Sequence, residues 1–306
     1  MAEQAKDAAP KRKARVANEA TVIGRRQVSP DLVRLSLNSP AFVGKDLEFT
    51  DHYIKLLFVP ESADYSWPFD MEQIREELPR DKHPITRTYT LINLDSQTGD
   101  FDVDFVTHGD SGLAGPWARV AEVGEKFGFF GPGGAWGPAA EYDHFVLAGD
   151  ESAAPAIGAG LEKLPEGATA TAYIEIEAED RKFEFPAPEG VEVNWVIRNG
   201  ATHGTELSRV VREAGVPEGK KTSWFVHGVA EMIKEMRRFL FVESEIPKED
   251  VSISGYWRIG MTEDQWQSSK RDFNAEIEAE EEKARLPQVG CRRSGCRCPL
   301  QCFCRQ

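Results

Sequence analysis

Residues 1–290 contain no cysteine; all five, Cys291, Cys296, Cys298, Cys302 and Cys304, fall in the last sixteen residues. Disulfides and cysteine nucleophiles are therefore excluded from the body of the chain. No apolar run approaches the ~20 residues that a bilayer-crossing helix needs. The first fifteen residues are rich in Ala, Lys and Arg and lack the apolar stretch of a secretory signal. A cytoplasmic, membrane-free protein is expected. Positive charge is also scarce: 37 Lys and Arg face 51 Asp and Glu, a net charge of −14, which argues against nucleic-acid binding. Neither G-x-S-x-G nor H-E-x-x-H occurs, and the G-x-G-x-x-G fingerprint of dinucleotide sites is missing. No metal site is expected in the body of the chain.

What is present is enough for two domains: 306 residues, 41% hydrophobic and 29% charged. Residues 19–37 alternate around a Ser29-Pro30-Asp31 turn and predict a hairpin. Strands are predicted over 51–59, 83–90, 101–106 and 127–130, and a short helix over 71–78. Consecutive strands without long helices between them indicate an antiparallel sheet or small barrel. Lys55 stands in the middle of an apolar strand, where it either snorkels to solvent or points into a site.

After Pro138 the pattern changes. An apolar run from His144 to Ala148, the turn Gly149-Asp150-Glu151-Ser152, and a helix with Pro155 in its first turn form the opening unit of a parallel α/β domain. Strands over 171–176, 191–197, 222–227 and 251–254 alternate with helices over 205–214 and 229–240. Thr262-Glu263-Asp264-Gln265 reads as a capping box opening a long helix through Trp266, Phe273 and Ile277, expected to pack by its first half only. The tail spacing C-x4-C-x-C-x3-C-x-C could hold a soft metal or be a disordered extension. The expected division is 1–18 flexible, 19–138 an antiparallel six-stranded β-barrel, 139–286 an α/β domain with a mostly parallel sheet, and 287–306 tail.

The segment 83–90 concentrates chemistry. Arg87 and Tyr89 share one strand face, with Thr88 and Thr90 on the other; a fixed cation beside a flat aromatic suits a ligand that carries both a phosphate and a planar ring. His108-Gly109-Asp110-Ser111-Gly112 leads through Ala114 toward Trp117 and Ala118. Such glycine-rich backbone can approach an anion, or simply connect two elements.

These blocks in this order resemble the siderophore-interacting proteins, flavin-dependent ferric-siderophore reductases of the ferredoxin-reductase type. The likeness runs from about Ala20 to Ala284. It rests on residues 51–58, Arg87-Thr88-Tyr89-Thr90, 102–109 with Trp117-Ala118, Gly131-Pro132 with Gly134, Gly149-Asp150-Glu151-Ser152 with Pro155, and Gly255-Tyr256-Trp257-Arg258 with Gly260. The resemblance implies FAD as cofactor and NADH or NADPH as donor, with a ferredoxin as another possible donor. It implies that Arg87 meets the FAD pyrophosphate, that Thr88 and Tyr89 hold the ring or ribityl chain, and that Thr90 lies near flavin N5. Asp104, His108, Gly109, Gly112, Ala114, Trp117 and Ala118 would complete the FAD site. Gly149, Asp150, Glu151, Ser152, Pro155 and Trp257 would form the flavin/nicotinamide pocket. Lys55 and Arg258 would attract an anionic ferric siderophore. Arg198, Arg209 and His203 are candidates for the dinucleotide phosphates, with surface solvation the alternative for each. The implied activity is reduction of Fe(III) to Fe(II) by a monomer. A flavin reductase, another NAD(P)H:acceptor oxidoreductase, and a non-enzymatic flavin or siderophore carrier are alternatives.

Overall fold

The structure, a computed structural model, describes residues 16–107, 109 and 112–285. The N-terminal sheet comprises β1 (Asn18–Ser29), β2 (Leu32–Asn38), β3 (Tyr53–Phe58), β4 (Ile85–Thr90), β5 (Ile92–Asp95), β6 (Asp100–Val106) and β7 (Lys126–Gly133). They pair in the order β4-β3-β7-β1-β2-β6-β5, antiparallel throughout. This corrects the six-stranded closed barrel: there are seven strands, and the end strands β4 and β5 do not pair with each other. The strand that the sequence reading lacks, β5, is four residues long and contains Asn93 at φ 54°, so it carries no readable alternation. Between β4 and β5 the Leu91 N–H donates to the His52 carbonyl at 2.8 Å.

Strict alternation in β6 turns Phe101, Val103 and Phe105 into the core, where they meet Phe42, Leu35, Leu37, Ile54 and Phe129. The opposite face carries acids, each with a partner: Asp102 accepts from Ser36, and Asp104 takes a bidentate pair from Arg34 at 2.6 and 2.7 Å. The insertion between β3 and β4 is tied down rather than loose. Its helix α1 (Met71–Glu77) is capped by Asp70, and Met71 packs with Leu57 and Phe130. The Trp67 ring lies over Gly128 so closely that a Cβ there would come within 2.2 Å of it. A short helix, α2 (Ala114–Val120), lies between β6 and β7.

The second domain holds β8 (His144–Asp150), β9 (Thr169–Ile176), β10 (Val191–Ile197), β11 (Thr222–Val229) and β12 (Val251–Trp257) in the order β10-β9-β8-β11-β12. Every pairing is parallel. β8 and β11 are buried along their whole length, which is why they read as continuous apolar runs. Helices α3 (Ala154–Leu161), α4 (Thr205–Ala214) and α5 (Ala230–Arg237) connect or flank the strands, and α6 (Glu263–Arg285) follows β12. The chain leaves β8 toward β9 and β10, then returns to lay β11 and β12 on its other side. The strand order therefore reverses beside β8, where open α/β sheets open a crevice at the strands' carboxyl ends.

The domains are fastened at several points. Trp136, itself held by the Asp51 carboxylate within the first domain, packs on Phe225 of the second with ring centroids 4.5 Å apart, and Arg181 reaches back to Asp31 at 3.1 Å. The expected capping box forms: the Gln265 N–H donates to Thr262 Oγ1 and the Thr262 N–H to Gln265 Oε1. The first-half packing of α6 is corrected. Trp266 is fully buried, but so are Ile277 and Glu281 farther along, because the acidic run of α6 faces cations of α5. Arg237 forks onto Glu281 at 2.6 and 3.0 Å, and Lys234 reaches Glu280. Among the described residues no helix is long and apolar enough to cross a membrane. The cysteine tail and the segment 1–15 lie outside the described residues.

Candidate functional site between the two domains

A cavity of about 650 Å³ opens between the outer edge of β4 and the carboxyl ends of β8, β11 and β12, with the first turns of α6 as its third wall. It brings together Lys55, Thr88, Tyr89, Thr90, Asp104, Asp150, Glu151, Ser152, Pro155, Trp257 and Arg258. That size and mixed lining are those of a small-molecule or cofactor site.

On the β4 wall, Tyr89 packs on Phe105 with centroids 4.4 Å apart. Burial, followed by the charge of Glu263, holds its phenol well above the ordinary value, so the ring is a neutral surface. Thr88 is engaged by α6: its N–H and Oγ1 donate to Glu263 at 3.1 and 2.7 Å. Burial raises the Glu263 carboxyl, against the pull of those bonds and of Arg87 and Lys55. Arg87 lies outside the cavity wall and donates to Asp264 at 3.0 Å and to the Thr86 carbonyl at 2.7 Å.

On the α/β wall, Asp150 is 1% exposed and receives four donors. Oδ1 accepts the Ser152 N–H and hydroxyl; Oδ2 accepts the Val229 N–H at 2.9 Å and Trp257 Nε1 at 2.8 Å. One carboxylate thus ties together the ends of β8, β11 and β12. Gly228, at φ 141°, is required here, because a Cβ would sit 2.7 Å from Asp150 Oδ2. Gly149 serves packing rather than lining the cavity: its Cβ would be 2.5 Å from that of Ala153.

Other sequence candidates lie elsewhere. Ala114, Trp117 and Ala118 belong to the first domain's core; Trp117 stands edge-on to Phe58, Phe105 and Phe127, and its Nε1 donates to Glu125. Gly109 and Gly112 are exposed. His108, with Asp110 and Ser111, lies outside the described residues. The phosphate candidates are corrected in part: Arg198 is 3% exposed and clasped by Glu151, Glu175 and Glu177, and Arg209 pairs with Glu206 and Glu213 along α4. His203 does line the cavity, edge-on to Trp257 at 4.9 Å.

Among the lining residues that the sequence reading did not place in the site are Lys270, Glu263 and His227. Lys270 on α6 donates to Ser254 Oγ at 2.8 Å, and burial, then the charge of Lys55, lowers its ammonium. The signal was available: Trp266, Lys270, Phe273 and Ile277 recur at helical spacing, which puts a cation on a buried face. Glu263 lies within the recognised capping box, at its second position. His227 stacks on Phe225 at 3.9 Å and bonds Ser252 Oγ through Nε2 at 3.0 Å, while its buried Nδ1 has no partner. Nothing in the sequence distinguishes it from a core histidine.

The family models of the siderophore-interacting FAD-binding domain and of the siderophore-interacting protein match residues 21–136 and 142–260. The chain belongs to the siderophore-interacting protein family. It is 38% identical to an uncharacterised protein of Mycobacterium tuberculosis over 84% of this chain and 95% of the other. It is 28% identical to the ferric vibriobactin reductase ViuB of Vibrio cholerae, over 81% and 92%. Among solved structures it resembles the siderophore-interacting protein SipS of Aeromonas hydrophila, with 25% identity, a TM-score of 0.70 and coverage of 85% and 99%.

The first domain is therefore an FAD-binding domain of this family, and the observed donors fit that group. The cavity offers a neutral aromatic surface at Tyr89, hydroxyls at Thr88 and Thr90, and an orphaned buried nitrogen at His227, the combination that a planar, hydrogen-bonding ring system requires.

Proposed function

We propose that this chain is an FAD-containing ferric-siderophore reductase driven by NADH or NADPH. The observation that carries the reading is the single cavity shared by the β4 edge and the carboxyl ends of the parallel sheet, with Lys55 and Lys270 contributed from opposite domains. FAD, when bound, supplies the exchange between a two-electron hydride and single electrons. The chain's own residues bind and orient. Tyr89 and Thr90 would hold the ring, and Arg87 the pyrophosphate. Asp150 holds Trp257 and the Ser152 turn in place at the nicotinamide side. Lys55, Lys270 and Arg258 stand in a wall that also carries Asp51, Asp104, Asp150, Glu151 and Glu263, and these three cations are the groups that would attract an anionic ferric complex.

The reaction balances without a side-chain acid or nucleophile. A hydride leaves the nicotinamide with two electrons, two Fe(III) complexes take one each, and a proton is released. Fe(II) is held less tightly by hard oxygen ligands, so reduction frees the iron. We place this step in the cytoplasm, on a monomer.

The testing experiment is an anaerobic visible spectrum of the flavin-loaded protein. Added nicotinamide should bleach the flavin band, and a ferric siderophore should restore it with Fe(II) captured by a chelator. Failure of the ferric complex to reoxidise the protein would sink the reading; bleaching only by a reduced ferredoxin would replace the donor. Lys270→Glu should raise KM for an anionic ferric siderophore about tenfold with flavin still bound, and an unchanged KM would remove Lys270 from substrate attraction.

Arg87 requires a separate check because Asp264 occupies its guanidinium. Asp264 is 60% exposed, so the pair is weak and open to exchange for a phosphate. Arg87→Ala should weaken FAD binding about tenfold or more, followed by quenching of flavin fluorescence, and Asp264→Asn should strengthen it. Full flavin retention by Arg87→Ala would assign the pyrophosphate elsewhere.

A further inference from the structure

We propose that Glu263, a residue of the second domain, is a positioning residue for FAD: by holding the free edge of β4 at Thr88, it fixes the surface of Tyr89 and Thr90 against which the cofactor's ring lies. The inference rests on the reading above that β4 holds the flavin.

β4 is the outermost strand of its sheet, so alternate N–H groups along it have no strand to meet. Thr88 is one of these. Opposite Lys55 in the pairing with β3, it sends its N–H outward to Glu263, at 3.1 Å from Oε1 and 3.2 Å from Oε2. Its hydroxyl donates to the same Oε1 at 2.7 Å. One carboxylate thus fixes both the backbone and the side-chain torsion of Thr88. The next two residues of the strand, Tyr89 and Thr90, line the cavity with it. An edge free to twist at Thr88 could not keep a ring and a hydroxyl at set positions immediately beyond. The Thr88 oxygen retains lone pairs, so it can still accept a bond from a ligand N–H.

Glu263 is placed by the second domain. It opens α6, where the helix dipole favours a carboxylate. One turn farther on, Trp266 is fully buried, with Nε1 3.3 Å from the Gly255 carbonyl. The indole lies so close to Gly255 that a Cβ there would come within 2.9 Å of it. The Thr262–Gln265 cap fixes the turn that carries Glu263. The link from β12 to Glu263 therefore has little freedom, and that anchoring is passed across the cavity to β4.

The neighbouring acid differs in kind. Asp264 is 60% exposed and pairs with Arg87, a guanidinium that a phosphate would claim. Glu263 is half-buried in the cavity wall and takes its bonds from a backbone N–H and a hydroxyl. Releasing Thr88 would strand a carboxylate away from bulk water without its donors. The first turn of α6 thus carries one exchangeable acid and one fixed acid.

The test titrates the FAD-free full chain with FAD and follows flavin fluorescence. Glu263→Ala should weaken binding about tenfold and leave the bound flavin brighter at saturation, because the ring is no longer held against Tyr89. Glu263→Gln keeps an acceptor for Thr88 and should return affinity to within about threefold of wild type, with quenching restored. Thr88→Val, which removes only the hydroxyl, should have a smaller effect, and adding it to Glu263→Ala should change little, as expected of partners in one contact. Glu263→Gln and Thr88→Val preserve the packing of α6, so they carry the test even where alanine loosens the fold. Wild-type or tighter binding by Glu263→Ala, a glutamine variant as weak as alanine, or additive effects of the two substitutions would overturn the inference. The readings beneath it fail separately: a wild-type chain that binds no FAD would end the assignment of β4, and one that binds FAD but cannot pass electrons to a ferric siderophore would end the reductase reading while leaving Glu263 in its role.

Discussion

Asp150→Asn should lower the free energy of unfolding by about 3 kcal/mol, although it changes one atom of one side chain. The Asp150 carboxylate accepts two hydrogen bonds on each oxygen, from Ser152 twice, Val229 and Trp257. An amide presents an NH2 where one of those oxygens stood. Whichever way it turns, two donors lose their acceptor and face hydrogens instead, in a site 1% exposed to water. Bonds to a charged acceptor contribute about 1.5–3 kcal/mol each, and a stranded buried donor costs about 1–3 kcal/mol more. The two donors on Oδ2 come from β11 and β12, so their loss also loosens the crevice itself. Urea titration should show a lower midpoint with an unchanged slope, and near-ultraviolet circular dichroism should register the freed Trp257 indole. Ser152→Ala, which removes only the hydroxyl bond, should cost about 1 kcal/mol. If Asp150→Asn and Ser152→Ala proved equally mild, the carboxylate would not be the tie between the three strands.

The turn that contains Asp150 was legible as a ligand-side turn because an apolar strand, a short polar turn and a helix with proline in its first turn form a local pattern. That its carboxylate holds Trp257, more than a hundred residues away, was not legible, since a long-range acceptor leaves no trace in spacing. The same division applies elsewhere. The alternation of β6 and the capping box of α6 are local and were read from the chain. The four-residue β5, and the fit of Glu263 and Asp264 onto β4, depend on tertiary approach and were not.

Charge shows the limit most clearly. Arg198 and Arg209 resembled phosphate ligands because a sequence displays a cation without its neighbours. In the fold, one is enclosed by three glutamates and the other lies along α4 between two. Lys270 is the converse case: one of many basic residues in the sequence, it is a partly buried ammonium facing Lys55 across the cavity. Periodicity could have placed it on the packed face of α6, but not opposite a lysine of the other domain.

His227→Gln should flatten the acid side of the stability profile. Burial, then the charge of Lys270, pushes the His227 imidazolium down to about 3 from an ordinary 6.5, so the ring is neutral in the folded protein throughout the physiological range. The unfolded chain binds a proton at this residue as the pH falls below about 6.5, and the folded chain refuses it until about 3. The unfolded state therefore holds more protons across that window, and stability falls as pH falls, at up to about 1.4 kcal/mol per unit from this residue. Glutamine does not titrate. Its lost stack on Phe225 destabilises the variant at pH 7, but the gap between wild type and variant should shrink by up to about 3 kcal/mol by pH 4. Urea midpoints at pH 7, 5.5 and 4 would measure it. A gap that stays constant would mean that the imidazole is solvated or charged in the folded state. A shrinking gap would establish a neutral ring in the wall of the cavity that Lys55 and Lys270 also line. A neutral imidazole there adds no third positive charge beside the two lysines, so they alone would supply the attraction for an anionic substrate from that part of the wall.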